Sequence, residues 1–239
     1  QNCFYKIIVE QNLNRLLVKL FFNFDTMTEN EKSVYESFMN SIKSGFSSLE
    51  DIIDETLEIV EDEGWETEIT GEWINEYVTR EYNKHAEDSK IWQRPTDPDR
   101  LVAVFDKLRR HKIVALHNAG YTQQDALYDI KEVWEDLEDV DVHPIGYCYY
   151  HGQDIERAIE DEILCLGFYG KKEKNDKEAI MIGNIVVNAL KEAGFEINWN
   201  NTATKRIEIQ NFRWHNAFTS YDEVEEKWGY DQAIKIMSE

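Results

Sequence analysis

Long apolar runs are missing from this sequence, and cysteine is scarce. No stretch reaches the roughly 18 consecutive apolar residues that a membrane-spanning helix requires, so we expect no membrane protein. The three cysteines, Cys3, Cys148 and Cys165, are too few and too scattered for a disulfide framework or a zinc knuckle. An odd, low number of cysteines fits a reducing compartment, so we expect a cytoplasmic protein.

Basic residues are also scarce. The 239-residue chain has 26 lysines and arginines against 48 aspartates and glutamates, which gives a formal net charge of −22. Such an acidic surface repels phosphate groups, so we expect a basic protein rather than nucleic acid as a partner. Apolar residues make up 42% of the chain and aromatic residues 13%, which is enough for a packed core and argues against intrinsic disorder.

Residues 1–26 differ from the rest of the chain, because their basic residues outnumber their acidic ones. No small-residue cleavage pattern follows their short apolar stretch, so we expect no signal peptide. Met27 is followed by a polar segment that suits an initiator. We therefore predict that residues 1–26 lie outside the functional fold. The alternative is an ordinary N-terminal strand or helix that packs on the core.

Residues 27–93 are predicted to form three helices. Thr28 and Ser48 are suitable N-cap residues for the first two. The second helix is expected to bury Ile53, Leu57 and Val60, which share one helical face. Its other face carries acidic residues and no base: Glu50, Asp51, Asp54, Glu55, Glu58, Glu61, Asp62 and Glu63.

Two interpretations of this acidic face remain open. A run of like charges is usually a solvated helix surface. Like charges along a helix also destabilise it by tenths of a kcal/mol per pair, and a basic partner would relieve that repulsion. Under the second interpretation, Glu55, Glu58 and Asp62 are the candidate partner-binding residues.

A second segment, 97–239, begins at a boundary marked by Pro95 and Pro98, each of which disfavours helix in the residue before it, and Pro98 suits the first position of a new helix. Short strands are predicted at 113–116, 145–150 and 163–169, with helices between them. A β-hairpin and a C-terminal helix are predicted to follow. The expected fold class is α+β: an N-terminal helical segment, then an α/β domain with a mixed sheet of βαβ units and a hairpin, and a final helix.

A ligand site is predicted where the first two of these strands end. Helical crossovers make neighbouring strands parallel, and parallel strands place their carboxyl ends at one edge of the sheet. His117 and His151 each follow such a strand, and each precedes a helix N-terminus, where free N–H groups favour an anion. The candidate ligand-binding residues are His117, Asn118, Tyr121, His151, Gln153 and Asp154.

Structural roles are the alternative for these residues. His151 and Asp154 are also suited to cap a short helix, and strand-to-helix turns commonly need such residues. Cys148 lies in mid-strand and is expected to be a buried, inert thiol rather than a nucleophile. No histidine pair has the i, i+4 spacing of a zinc helix, and phosphate-loop and dinucleotide motifs are absent. We therefore expect no catalytic set, no metal and no cofactor.

Four segments carry a resemblance to a known family: ALHNAGYT (115–122), GYCYYHGQDIERAI (146–159), IGNIVVNALKEAGFEINWN (182–200) and KRIEIQNFRW (205–214). In these, and in the helix that begins at Asp99-Arg100-Leu101, the chain resembles an uncharacterised bacterial family of domains of unknown function. The likeness covers residues 46–214. Many relatives have a cysteine-rich turn where this chain has Asn118-Ala119-Gly120, a departure that argues against a thiol or metal role for that turn. The resemblance implies segment boundaries and a fold, and no activity.

Two functions from different classes are therefore expected. The first is a non-catalytic protein-binding module, immunity-like or inhibitor-like, that masks a basic partner. The second is a small ligand-binding domain or enzyme that uses the edge with His117 and His151. The acidic surface favours the first function, because that surface is a direct property of the sequence.

Overall fold

A computed structural model describes residues 26–171 and 175–239 of the chain. Residues 1–25, most of the predicted N-terminal extension, lie outside the described residues. The described ranges form nine helices and a five-stranded mixed sheet, which confirms the α+β class. In chain order the elements are α1 (Glu29–Ser44), α2 (Leu49–Asp62), α3 (Gly71–Ser89), α4 (Asp97–Arg110), β1 (Ile113–Leu116), α5 (Gln123–Asp139), β2 (Gly146–Tyr149), α6 (Gly152–Asp161), β3 (Leu164–Gly170), α7 (Asp176–Glu192), β4 (Glu196–Asn198), β5 (Ile207–Gln210), α8 (Tyr221–Trp228) and α9 (Tyr230–Ser238).

Helices α1, α2 and α3 pack on one another around an apolar cluster of their own. Thr28 and Ser48 begin α1 and α2 with capping boxes. In each box the cap hydroxyl accepts a hydrogen bond from a first-turn amide, and a first-turn carboxylate accepts one from the cap amide. Losing such a cap costs about 1 kcal/mol, so these two residues fix where the helices begin.

The buried face of α2 differs from the predicted one. Ile52, Thr56 and Val60 are buried, whereas Leu57 is 37% exposed, so the prediction for Leu57 is wrong. Thr56 tolerates burial because its hydroxyl donates a hydrogen bond to the Ile52 carbonyl oxygen at 2.5 Å. A pattern that counts only apolar residues misses Thr56, because the hydroxyl group makes threonine a polar residue.

The sheet has the strand order β1-β2-β3-β5-β4. Strands β1 and β2 are parallel, with Ile113 opposite Gly146 and Leu116 opposite Tyr149. The remaining pairs are antiparallel, and β4 and β5 form the predicted hairpin. The carboxyl ends of β1 and β2 therefore lie at the same edge of the sheet.

The expectation of a second parallel crossover, between β2 and β3, is wrong. These strands are antiparallel, with Gly146 opposite Gly170 and Tyr149 opposite Gly167. Helix α6 therefore begins and ends at the same edge of the sheet, where it lies against β3 and against α1. Because α1 belongs to a distant part of the sequence, no pattern within α6 indicates this arrangement.

Helices cover both faces of the sheet. Helices α4 and α7 pack on the face that presents Ala115, Cys148 and Leu166, and α5 and α9 pack on the face that presents Val114 and Leu116. Successive strand residues point to opposite faces, which explains why β1 is buried at every position. Within the described ranges, no helix combines the length and the apolar character needed to cross a bilayer.

The C-terminal region forms two helices where one was predicted. Gly229 follows α8 with an extended backbone (φ −64°, ψ 154°), and α9 begins at Tyr230. This break lets α9 change direction and bury Ala233 and Met237 beside β1 and α5. The junction of α8 and α9 lies next to the loop after β1, where it forms part of a cavity.

Candidate functional site: the carboxyl edge of β1 and β2

The loops that follow β1 and β2 lie side by side, as the parallel pairing of the two strands requires. The amide of Ala119 donates a hydrogen bond to the carbonyl oxygen of Tyr150 at 2.8 Å, which extends the pairing beyond the strands. Asn118 and Gly120 have positive φ angles of 44° and 54°, which the tight turn after β1 needs. The two loops therefore form one continuous rim.

The amino end of α6 does not offer the free N–H groups that the sequence suggested. The amide of Gly152 donates to the carbonyl oxygen of Gly120 at 3.0 Å, and the amide of Gln153 donates to that of Tyr121 at 3.2 Å. These first-turn amides are the groups that would bind an anion at a helix N-terminus. Two carbonyl oxygens of the loop after β1 therefore accept the hydrogen bonds that an anion would otherwise accept.

His117 is almost completely buried at this rim. Its ring stacks on Phe105 with 4.3 Å between ring centroids, and the Trp228 ring lies nearly perpendicular to it with 4.9 Å between centroids. The Nδ1 atom lies 3.1 Å from the Tyr150 hydroxyl, while the buried Nε2 atom has no hydrogen-bond partner among the described residues. Burial, together with the charges of Arg109 and Lys227, holds the pKa of His117 well below its usual value, so the ring is neutral.

His151 has different surroundings. Its amide donates a hydrogen bond to the Asp154 carboxylate at 3.0 Å, so Asp154 caps α6 as the alternative interpretation expected. Arg206 donates to both oxygens of that carboxylate, at 2.9 and 2.6 Å, and its Nη1 atom lies 3.3 Å from Nε2 of His151. Burial lowers the pKa of His151, although the Asp154 charge opposes the shift.

The two imidazoles do not meet. Across the part of the chain that the structure describes, neither a hydrogen bond nor a ring contact joins His117 to His151. The His117 ring packs among aromatic side chains, whereas His151 lies in a charged cluster with Asp154 and Arg206. The edge of the sheet thus brings the loops together and separates the rings.

Two cavities flank the rim. One of about 380 Å³ lies between α1 and the loops, and Asn118 and Tyr121 line it. Another of about 320 Å³ lies between the loop after β1 and the junction of α8 and α9, and His117, Asn118 and Trp228 line it. Phe46 lines both cavities. The other predicted ligand residues, His151, Gln153 and Asp154, line neither of them.

Sequence reasoning missed the aromatic residues of these cavities, namely Phe46, Trp228 and Tyr230. Phe46 lies in the loop between α1 and α2, and the other two lie at the ends of C-terminal helices. All three are distant in sequence from His117. The one available signal was Phe46, a phenylalanine in a short, otherwise polar loop. An apolar ring in such a loop suggests that it packs against another part of the fold.

The acidic surface of α2 lies elsewhere. We define the α2 acidic face as Glu55, Glu58 and Asp62 together with Ile59, and all four side chains are exposed. Among the described residues, no carboxylate of α2 forms an ion pair. Burial and the neighbouring charges of Asp51 and Glu58 raise the pKa of Glu55, which shows that the carboxylates repel one another.

The cysteines that the structure describes are both buried. Cys148 is completely enclosed in the core, and this burial raises the pKa of its thiol far above the usual value. Burial also raises the pKa of Cys165, whose sulfur lies 3.4 Å from Arg157 Nη1. A protonated thiol is a poor nucleophile, so neither residue suits covalent chemistry. The described ranges contain no group of three or more metal-binding side chains.

Comparison with known proteins gives one family. Neither the curated proteins nor the solved structures include a significant match to the chain. The model of a family described as "Domain of unknown function (DUF6891)" matches residues 27–218, which is well over half of the chain. The chain belongs to this family of unknown function.

Proposed function

We propose that this chain is a non-catalytic protein-binding module whose α2 acidic face binds and masks a basic partner, in the manner of an inhibitor or immunity protein. The observation that carries the proposal is the set of α2 carboxylates that form no ion pair among the described residues, beside the exposed aliphatic side chain of Ile59. Other helices of the chain do form ion pairs, for example Lys84 with Asp88 in α3 and Lys131 with Glu135 in α5.

Charge provides attraction and orientation. A chain with a net charge of −22 attracts a cationic partner over a distance of several ångströms, and a local cluster of one sign fixes where that partner docks. Burial raises the pKa of Glu55, and the charges of Asp51 and Glu58 add to the shift. A basic side chain that approaches Glu55 would offset the repulsion from these two carboxylates.

Apolar contact provides affinity. Ile59 is 38% exposed and lies on the same side of α2 as the three carboxylates. Protein interfaces typically combine apolar contacts with polar or charged ones. The α2 acidic face offers both, so it fits an amphipathic basic helix better than a flexible polycation.

The polar residues at the sheet edge support a binding role rather than catalysis. His151 and Asp154 are held by Arg206 and by the cap of α6, so they are not free to move a proton. His117 is enclosed by aromatic rings. The buried Cys148 thiol is protonated.

The test measures binding of a synthetic amphipathic helix with one leucine face and one lysine face. We expect affinity to fall with salt, and the triple variant Glu55→Lys, Glu58→Lys, Asp62→Lys to bind at least about tenfold more weakly. The matched control is Glu132→Lys, Glu135→Lys, Asp136→Lys on α5, which changes the net charge equally. Equal weakening by both triple variants would contradict the proposal, because net charge alone would then explain binding.

A second pair of variants tests the apolar part of the surface. Ile59→Ser leaves the charge unchanged and changes a side chain that lies beside the carboxylates, whereas Leu57→Ser is a matched control on the opposite flank of α2; both side chains are exposed. We expect Ile59→Ser to weaken peptide binding at an unchanged melting temperature and Leu57→Ser to leave binding unchanged. If Ile59→Ser does not weaken binding, or if both variants weaken it equally, a specific docking surface on this side of α2 is contradicted.

A further inference from the structure

A third cavity, of about 620 Å³, lies where the start of α4 and the chain before it meet the segment that follows β5. Residues 91–97 and Arg100 form one side of it, and Asn211, Arg213 and His215 form the other. Its volume falls within the range of about 300–1,000 Å³ that small-molecule sites occupy. It shares no lining residue with the two cavities at the sheet edge, so it is a separate space.

The charged side chains of this cavity have the opposite sign to the chain as a whole. The lining holds three guanidinium groups, those of Arg94, Arg100 and Arg213, against one carboxylate, that of Asp97. The whole chain has 26 basic residues against 48 acidic ones. Guanidinium groups that surround one space repel one another, and a bound anion would relieve that repulsion.

Arg213 is the cation whose charge is not matched. Asp97 accepts a hydrogen bond from Arg100 Nη1 at 2.6 Å through one carboxylate oxygen. Its other oxygen accepts from the backbone amide of Arg213 at 3.0 Å. The guanidinium group of Arg213 itself is exposed, and among the described residues it forms neither a hydrogen bond nor an ion pair. It is therefore available to an anion that enters the cavity.

The other two guanidinium groups are held in place beside it. Arg100 donates a hydrogen bond to the Ala193 carbonyl oxygen at 2.7 Å, and its guanidinium carbon lies 4.2 Å from the centroid of the Phe195 ring. Arg94 donates to the Asp99 carboxylate at 3.1 Å. Donors that are already fixed lose less conformational entropy when a ligand binds.

Stacked rings lie beside these cations. Trp92 stacks on His215 with 4.7 Å between ring centroids and 8° between the ring planes, and both side chains are partly exposed. Burial and the charge of Arg213 lower the pKa of His215, so its ring is neutral at pH 7. Ile91, the preceding residue of the chain, is 86% exposed. A flat ring that packs here would bury apolar surface that water otherwise covers.

The charge of the whole chain limits the size of the anion. A long polyanion would extend from the cavity over a surface with a net charge of −22, where repulsion opposes binding. Charges more than about 8 Å apart are largely screened at physiological salt, so the guanidinium groups dominate within the cavity. The planar fork of an arginine matches the oxygens of a phosphate group.

We infer that this cavity binds a small phosphate ester with an aromatic ring, of the class of a nucleoside monophosphate. Its phosphate group pairs with Arg213 between Arg94 and Arg100, and its base packs on the stacked rings of Trp92 and His215. This site is separate from the α2 acidic face, and neither proposal depends on the other.

The test is calorimetric titration of the full chain with adenosine monophosphate, adenosine and ribose 5-phosphate. We expect adenosine monophosphate to bind, and the other two, which lack the phosphate and the base respectively, to bind at least about tenfold more weakly. Adenosine binding as tightly as its monophosphate would overturn the role of the arginines. Ribose 5-phosphate doing so would overturn the role of the stacked rings. Absence of binding by all three would overturn the inference.

A matched pair of variants tests whether the position of the charge matters. Arg213→Gln should weaken adenosine monophosphate at least about tenfold at an unchanged melting temperature, because its guanidinium group supports no contact of the fold. Arg110→Gln removes the same charge from an exposed residue at the other end of α4, about 20 Å along the helix axis, and should leave binding unchanged. Equal weakening by both variants would overturn the site, because net charge alone would then explain binding.

A spectroscopic measurement locates the ligand without any substitution. The indole N–H signal of Trp92 should shift in nitrogen-15 spectra when adenosine monophosphate is added. The signal of Trp134, which lies on α5 and outside this cavity, should stay where it is. An unmoved Trp92 signal, or equal shifts of both signals, would overturn the placement of the base.

Discussion

Arg206 holds Asp154 through two parallel hydrogen bonds of 2.9 and 2.6 Å, one to each carboxylate oxygen. The same guanidinium donates to the Cys165 carbonyl oxygen at 3.0 Å. Arg206 precedes β5, Asp154 lies in the first turn of α6, and Cys165 belongs to β3. This one side chain therefore fastens three elements together and fixes where α6 lies against the sheet.

Removal of this carboxylate charge should destabilise the chain. Asp154→Asn leaves Arg206 without its ionic partner and weakens the cap of α6. Breaking a buried pair costs about 3–5 kcal/mol, and because Arg206 is about one-third exposed we expect about 2 kcal/mol. Urea denaturation measures the free energy of unfolding. Asp161→Asn, which alters the exposed pair with Arg157, should change it by less than about 0.5 kcal/mol.

Stability should fall as the pH drops below neutrality, in part because of His117. The pKa of this ring is held well below its usual value by burial and by Arg109 and Lys227. Near pH 6.5 the His117 ring binds a proton in the unfolded chain but not in the folded chain. Acidification therefore favours unfolding. In His117→Phe, the dependence of unfolding free energy on pH below 6.5 should flatten by up to about 1.4 kcal/mol per pH unit. An unchanged slope would show that the ring titrates equally in both states.

Gly167 is expected to tolerate no side chain. A Cβ atom there would lie 2.3 Å from Cζ of Tyr149, so Gly167→Ala forces the tyrosine ring or the strand to move. We expect a loss of about 1–3 kcal/mol in thermal or urea unfolding. Gly71→Ala at the start of α3 is the matched control, because the nearest atom is Leu57 Cδ2 at 3.7 Å. That change should be neutral or stabilise the chain by about 0.5 kcal/mol, and similar losses at both positions would contradict steric crowding at Gly167.

Cys148 should resist alkylation while the chain is folded. The thiol is fully enclosed, so the reagent cannot reach it. Burial also raises its pKa, so the reactive thiolate form is not populated. Mass spectrometry of the peptide that contains Cys148, after treatment with iodoacetamide, measures the reaction. We expect labelling only when denaturant is added. Rapid labelling of the native chain would mean that the core around β2 opens easily.

Local sequence patterns predicted the elements better than their arrangement. The apolar run at 113–116 and the cap at Ser48 were sufficient to place β1 and the start of α2, because each pattern depends only on neighbouring residues. The antiparallel course of β3 was missed because the order strand, helix, strand is the same for the parallel pair β1 and β2 and does not by itself decide the direction of the second strand. The break at Gly229 was missed because an extended glycine between two helices leaves no trace in apolar spacing.

The candidate site was predictable only in part, for the same reason. The parallel ends of β1 and β2 follow from the chain order, so Asn118 and Tyr121 could be placed at the rim in advance. Which ring nitrogen of His117 lacks a partner depends on Tyr150 and on burial beneath Trp228, and these are properties of the folded chain.

Phe46 belongs to the walls of both cavities at this edge of the sheet. A substitution at this single position therefore alters two separate spaces at once. A bulkier or smaller side chain here should change the volume of both.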